Sequence, residues 1–483
     1  MAIRNGETYI SGLCDGREVW YGGERVSDVS KFSQFQAAVR SIAELYDMQH
    51  LEEHRALLSC YSEEVEEEVG RSFQIPRNPE DLRLKREAYF LWARANCGMI
   101  GRSPDFLNVM LAALAAKKSF FAEGGKDRAS NVLDYYRFVA KNDLFMTHAL
   151  LDPQLDKGKL RNEQSDPDIC LRVVDENQDG IILSGIKRIA TAAPYADELL
   201  VWPFPPTFQE GEESYANVFA IPMNSKGLKT LCRPSFSNSG TTRDFPLSSR
   251  FDEMDATVVF DEVHVPWERV FVYKNIVLLN RMYRDSRMRE LTAHQTNTRL
   301  EAKLGFVYSV IQRLAEAQGI ENRPEVMEML GEAAVKIEVI RSTTRSAEYQ
   351  ATLDHENGVL YPDLASLQAG RALGPIYYPE MIDMIRKMGG GALVQVPVTM
   401  AEFDSPVGQD IEKALRGAAI SGQEKTQLLK VAWDLCGSEF GSRHELYEKN
   451  YAGERGALLM GVQREYYRKD DHLGHFNEFL EAL

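Results

Sequence analysis

The sequence predicts a mainly α protein with a central β domain: an N-terminal helical part over 1–150, a middle β-barrel over 151–275 and a C-terminal helix bundle over 276–483. Three observations carry that expectation. Helix-period apolar residues dominate from about Lys31 to Asn142, short β-type runs separated by Pro, Gly and Ser fill the middle, and long apolar stripes return after about Asn275.

In the N-terminal part, Ala37 to Leu45 carries apolar residues at helical period, and Leu107 to Leu114 continues small and apolar. Asn78-Pro79-Glu80-Asp81 is a helix start, with proline at an early position and acids in the first turn. The character changes near Asp152-Pro153. Ile169 to Val174, the turn Asn177-Gln178-Asp179-Gly180 and Ile181 to Leu183 read as a hairpin. Leu199 to Trp202, Val218 to Ile221 and Thr257 to Phe260 read as further strands, closing near Val263 to Trp267. In the C-terminal part, Leu300, Leu304, Val307, Ile311 and Leu314 form a stripe made for a neighbouring helix. Gly319 to Pro324 breaks it; Val326, Leu330, Ile337 and Ile340 start a second stripe, and Leu415 to Trp433 carries another. Gly389-Gly390-Gly391 reads as a helix stop. Helices, barrel, bundle is an order that resembles the acyl-CoA dehydrogenase architecture, a likeness of fold and not of function.

Composition excludes several classes of function. The formal net charge of -16, with no basic tail or stripe, argues against nucleic acid as a partner. The start Met1-Ala2-Ile3-Arg4-Asn5-Gly6 lacks the apolar run of a signal peptide, and no stretch approaches the roughly 18 apolar residues that span a bilayer. Six scattered cysteines without a CxxC pair read as free thiols, so a cytoplasmic protein without a membrane partner is expected. Neither GxGxxG after a strand nor GxxxxGK[ST] occurs, so electrons for any redox chemistry arrive on a cofactor loaded elsewhere. His50/His54 and His472/His475 lack the context of a metal site, and no metal is expected.

Several blocks carry a resemblance over nearly the whole chain. They are Asp15 to Val26, Gly98 to Asp105, Thr147 to Leu150 with Asp152 to Gln154, Phe245 to Asp255, Val265 to Val270, Ser438 to Glu448 and Asn450 to Gly453. In this order they resemble the large oxygenase component of the 4-hydroxyphenylacetate 3-monooxygenase family of two-component, reduced-FAD-dependent aromatic hydroxylases. The resemblance implies that FADH2 comes from a separate NAD(P)H:flavin reductase and reacts with O2. A flavin hydroperoxide then places oxygen ortho to a phenol hydroxyl. It implies that Arg102 and His148 lie at flavin and substrate. It also implies that Gln154, Leu155, Asp156, Lys157, Thr191, Asn450, Tyr451, Ala452 and Gly453 contact FAD, and that the protein is a homotetramer formed through helices.

The side-chain chemistry suits those roles. Histidine accepts or shares a phenolic proton near neutral pH, and arginine, always charged, steadies the oxyanion that results. The family usually has tyrosine where this chain has Phe106, which keeps the ring and removes the donor. The substrate hydroxyl then meets only Arg102 and His148, or another residue supplies the bond, or the substrate is not a simple phenol. His294 is expected near the substrate or packed at the start of the bundle. An iron–sulfur reading for His294 fails because no cysteine follows within the next hundred residues. The stretch from Pro203 to Tyr215 is a candidate substrate-facing loop, for a small aromatic substrate that is free or tethered to a carrier. A flavin-dependent acyl-CoA dehydrogenase or dehydratase of the same fold order, and a non-catalytic helical scaffold, are the alternatives.

Overall fold

The computed structural model describes residues 3–153, 155–204, 207–237, 241–451, 455–469 and 472–483. The expected order of helices, central β domain and helical bundle is what it shows, but among the described residues the β domain is a sheet whose strand order does not close into the expected barrel. Asn78 caps the helix Pro79–Ala95 by accepting from the Asp81 amide at 3.0 Å, and Pro79 stands in its first turn. The helix Pro104–Ala116 is buried from Pro104 to Ala115, which explains its unbroken small and apolar sequence. It lies between the central sheet and the bundle, touching both.

The N-terminal part is less purely helical than its periodicity suggests. Glu18–Tyr21 and Glu24–Val26 form a hairpin that joins the central sheet, and Ser59–Ser62 pairs with Glu67–Gly70. The helix Lys126–Asn142 ends at Asp143 in the left-handed region (φ 47°), and Met146–Leu151 then runs as a strand. The division expected between residues 150 and 151 therefore falls inside a strand.

Among the described residues the main sheet has ten strands. Its order is Val270–Val272, Val218–Pro222, Glu198–Phe204, Met146–Leu151, Gly180–Thr191, Asp255–Pro266, Leu228–Cys232, Glu18–Tyr21, Glu24–Val26, with Arg172–Glu176 paired to Gly180–Thr191 off this path. The expected hairpin is the Arg172–Glu176 and Gly180–Thr191 pair. The expected close near Trp267 comes early, since Val270–Val272 adds another strand. Met146–Leu151 and Glu198–Phe204 run parallel, with His148 level with Leu200.

In the bundle, the stripe from Leu300 to Leu314 is buried along the helix Met288–Gln318, which ends at Gly319 with φ 67°. The helices Pro324–Tyr349 and Leu364–Gly389 pack against it. The stripe expected over Leu415 to Trp433 is divided between Gly408–Leu415 and Gly422–Cys436. Ser421 and Glu424 form a capping box that starts the second helix afresh. No helix among the described residues is long and apolar enough to cross a membrane.

Leu304 is fully buried where the long helix meets the core. Leu304→Ala is expected to cost roughly 2–5 kcal/mol of stability. A urea unfolding midpoint within error of the parent would contradict this placement of the core.

Candidate active site

Two local structures converge on one buried group of side chains, the candidate substrate chamber: the turn ahead of the helix Pro104–Ala116, and the strand Met146–Leu151. The turn is pressed against the bundle. Gly98 has φ 70°, and a Cβ there would lie 2.5 Å from the Cβ of Lys303. A Cβ on Gly101 would lie 2.3 Å from the phenol oxygen of Tyr447. Both positions exclude a side chain by contact, and Gly98 also by backbone conformation.

This turn delivers Arg102. Its amide donates to Glu253 Oε1 at 2.6 Å, and its Nη1 donates to the Tyr447 hydroxyl at 2.5 Å. Phe106, one helical turn on, lies under the guanidinium with 4.2 Å from Cζ to the ring centroid. The His148 ring stands 5.8 Å from Phe106 on one side and 5.5 Å from Trp202 on the other. Arg102, Phe106 and His148, singled out separately in the sequence, are brought together in the interior.

The electrostatics of the chamber follow from burial and like charge. Burial pushes the His148 pKa well below its ordinary value, and the positive Arg102 pushes it further the same way. The imidazole is therefore neutral near pH 7. Its Nδ1 is buried and has no hydrogen-bond partner among the described residues, which marks a place for a polar ligand atom. Burial raises the Tyr283 phenol, opposed by Trp202, Arg371 and Arg102, and burial lowers Arg371 to about 10.

Behind the chamber lies a buried network of charges. Arg443 pairs with Glu253 at 2.9 Å and with Asp255 at 2.9 Å. Thr191 donates to Asp255 at 2.7 Å, and its carbonyl accepts a short bond from Thr147, the neighbour of His148. Glu448 is held by Arg299 at 2.8 Å and Lys303 at 2.9 Å. Burial would raise Glu448, but these two cations hold it at about 2, while burial lowers Lys303 to about 8.

The expected cofactor residues lie in three settings. Leu155, Asp156 and Lys157 line a cleft of about 840 Å³ together with Lys159, Arg161, Phe204 and Phe208. Thr191 is buried beneath the chamber, reached through Thr147. Asn450 belongs to the π-helical turn Tyr447–Tyr451 and donates from Nδ2 to the Leu446 carbonyl at 3.2 Å. Tyr451 ends that turn; Gln154, Ala452 and Gly453 lie outside the described residues. Phe204 bridges cleft and chamber, packing 5.3 Å from Tyr283 two residues after Trp202.

His294 is held elsewhere. Its Nε2 pairs with Glu348 at 2.7 Å and its ring meets Tyr89 edge-on at 6.0 Å. Of its two expected places, packing at the start of the bundle is the one these contacts describe, rather than the substrate chamber. Sequence reading missed Trp202, Glu253, Tyr283, Arg371, Arg443 and Tyr447 as site residues. Glu253, Arg443 and Tyr447 stand inside the blocks that carry the resemblance, which gives them no role, and Trp202 carries only a strand signal.

Comparison with known proteins agrees over the full length. Residues 5–272 match the family model for the N-terminal part of 4-hydroxyphenylacetate 3-hydroxylase, and residues 279–480 match that for its C-terminal part. The chain is 38% identical over 480 residues to the 4-hydroxyphenylacetate 3-monooxygenase oxygenase component of Thermus thermophilus, covering 99% of this chain and 97% of the relative. A crystal structure of such an oxygenase component, complexed with FAD and 4-hydroxyphenylacetate, matches with TM-score 0.92 at 36% identity over 99% of this chain and 98% of the other. A Streptomyces globisporus monooxygenase for a 3-amino-3-(3-chloro-4-hydroxyphenyl)propanoyl group on a peptidyl-carrier protein is 34% identical, over 93% of this chain and 84% of the relative. A glutaryl-coenzyme A dehydrogenase structure matches with TM-score 0.50 at 10% identity over 81% of each chain, which shows the acyl-CoA dehydrogenase-like fold alone.

A depressed histidine pKa has a consequence for stability. The folded chain holds His148 unprotonated while the unfolded chain takes up a proton below about pH 6.5. Its contribution is full above pH 6.5 and declines as pH falls towards the folded value, by up to about 1.4 kcal/mol per pH unit. His148→Gln is expected to narrow the gap between urea midpoints at pH 7.5 and 5.5. An unchanged gap would show that His148 is not held neutral.

Proposed function

The chain belongs to the 4-hydroxyphenylacetate 3-hydroxylase family, and from the Arg102–Phe106–His148 chamber we propose that it hydroxylates a phenol ortho to its hydroxyl, with FAD as cofactor and O2 as co-substrate. It is the oxygenase component of a two-component flavin monooxygenase, and such a component draws reduced flavin from a separate reductase. The proposed reductase oxidises NAD(P)H, in keeping with a chain that carries no nucleotide-binding motif.

The observation that carries the reading is a neutral, buried histidine with an unpartnered nitrogen beside a buried arginine. Residues of the chain suit the cofactor too. The cleft at Leu155 to Lys157 has a volume within the ordinary range for ligand sites; Lys157, Lys159 and Arg161 share its walls with Asp152, Asp156 and Glu212, and Arg161 is paired with Asp152 and Glu212. Gln154 to Lys157, Thr191 and Asn450 to Gly453 would hold FAD, with Arg102 and His148 at its border with substrate. When bound and reduced, FAD supplies two electrons and lets O2 give one oxygen atom to the ring and the other to water.

The chain's own groups prepare the phenol. His148, unprotonated, accepts a hydrogen bond from the substrate hydroxyl and shares its proton without taking on a full charge beside Arg102. Arg102 then faces the phenolate oxygen with a charge it cannot lose, and the ring carbon ortho to that oxygen gains electron density. Phe106 lies beneath the guanidinium and gives the ring an apolar wall that offers the hydroxyl no bond. Phe204 and Phe208, on the Pro203 to Tyr215 stretch, face the cleft and make that stretch the proposed determinant of substrate, whether free or carrier-tethered; Pro205 and Pro206 fall outside the described residues.

The reading extends to a cytoplasmic homotetramer. Association of copies is supported by exposed Leu459, Met460, Leu473, Phe476 and Leu480 on the helices Arg455–Lys469 and His472–Glu481.

Incubation with FAD, a flavin reductase, NADH and 18O2 against a panel of para-substituted phenols tests the proposal. A catechol carrying one labelled oxygen is expected; no labelled product from any phenol, with reduced flavin present throughout, overturns it. His148→Ala is expected to keep FAD affinity within about threefold while hydroxylation falls by roughly 10²-fold or more. Phe106→Tyr is expected to raise kcat/KM for small phenols by about fivefold, the effect of one added hydrogen bond. Unchanged turnover in either variant counts against the assigned role.

A further inference from the structure

We infer that Tyr447 is the positioning residue of the oxygenase reaction, fixing the direction in which Arg102 presents its guanidinium to the substrate oxygen. The inference rests on the reading of Arg102 as the group that meets the phenolate. Phe106 lies under the guanidinium at 4.2 Å from Cζ to ring centroid, a contact that carries no directional bond. A heading needs a directional bond. The Tyr447 hydroxyl provides one, accepting from Arg102 Nη1 at 2.5 Å and donating to the Gly101 carbonyl at 3.2 Å. Arg102 Nη1 also donates directly to the Gly101 carbonyl at 3.3 Å, so guanidinium, phenol and main chain meet at one oxygen and the short bond to the hydroxyl aims the group.

Tyr447 is itself held without freedom. Its ring is 1% exposed and lies 5.2 Å from Arg299, 5.2 Å from Arg443 and 5.8 Å from Lys303. Gly101 leaves room for the phenol to approach, since a Cβ there would fall 2.3 Å from both Cζ and the hydroxyl oxygen. Glu253 completes the frame, receiving the Arg102 amide at 2.6 Å and Arg443 at 2.9 Å. Tyr447 also opens the π-helical turn that leads to Asn450, so the arginine and a proposed flavin-contacting segment are set by one turn of backbone.

Tyr447→Phe in the full chain is the test, because it removes one oxygen and keeps the ring among its cations. The probe is 4-nitrophenol, whose visible absorbance reports its ionised form, titrated into the protein without flavin. The parent is expected to strengthen the acidity of the bound probe by about tenfold or more, as a nearby cation does. Tyr447→Phe is expected to lose most of that effect at an unchanged melting temperature. In the coupled assay its kcat falls about 10- to 100-fold, while KM for the phenol changes less than threefold. Gly101→Ala, which displaces the phenol without deleting it, gives the same signature. A Tyr447→Phe protein with the parent's probe spectrum and kcat overturns the inference, as does a parent that leaves the bound probe's acidity unaltered. A parent that shifts the probe but hydroxylates no phenol overturns the oxygenase reading and leaves the geometric role of Tyr447 standing.

Discussion

The carboxylate of Glu448, buried between Arg299 and Lys303, is the contact on which the rest of the site depends. Taking three charges out of water costs several kcal/mol per ion, and only close, well-directed pairing offsets it. Arg299 meets Glu448 through both terminal nitrogens, at 2.8 and 2.9 Å, and also donates to the Gly98 carbonyl at 3.0 Å. One ion cluster therefore fastens three separate pieces of chain: the long bundle helix, the π-helical turn near the end, and the turn that precedes Arg102. Lys303 serves the same junction by packing against Gly98, where no side chain fits. Arg102 is held where it is because these pieces are locked together.

Inside the chamber the same physics acts with the opposite purpose. Around Glu448 opposite charges are matched. Around His148 a fixed positive charge stands beside a base that burial keeps neutral. Water is displaced by Phe106, Trp202 and the aromatic rings near Tyr283, so the field of Arg102 is little screened. A group that becomes negative there is favoured, and one that becomes positive is not.

Much of the architecture was legible because it rests on local periodicity. The Leu300 to Leu314 stripe, the Asn78 cap and the Asn177 to Gly180 turn are written over a few residues each and appear where expected. The strand Met146–Leu151 was not legible, since it is mostly buried and lacks alternation. Arg102 and His148 were found through resemblance, and their meeting follows from the fold. Tyr447 and Glu253 could not be found by spacing, because they touch Arg102 across 345 and 151 residues of chain. His294 shows the reverse: a histidine near the expected region whose partner, Glu348, lies 54 residues on, in the neighbouring helix.

Phe106 gives the chamber a character of its own. A pocket that greets a substrate with several donors rejects molecules unable to return each bond, since every unanswered donor is a loss. A benzyl wall makes no such demand. Beside the hydroxyl, this chamber meets its guest with hydrocarbon on the face where a polar group would have questioned each neighbouring substituent. Discrimination is thereby moved away from the reacting end of the ring and out towards Phe204 and Phe208, on the stretch of chain that borders the cleft. A fold built this way can keep one chemistry and change its clientele by altering a surface loop.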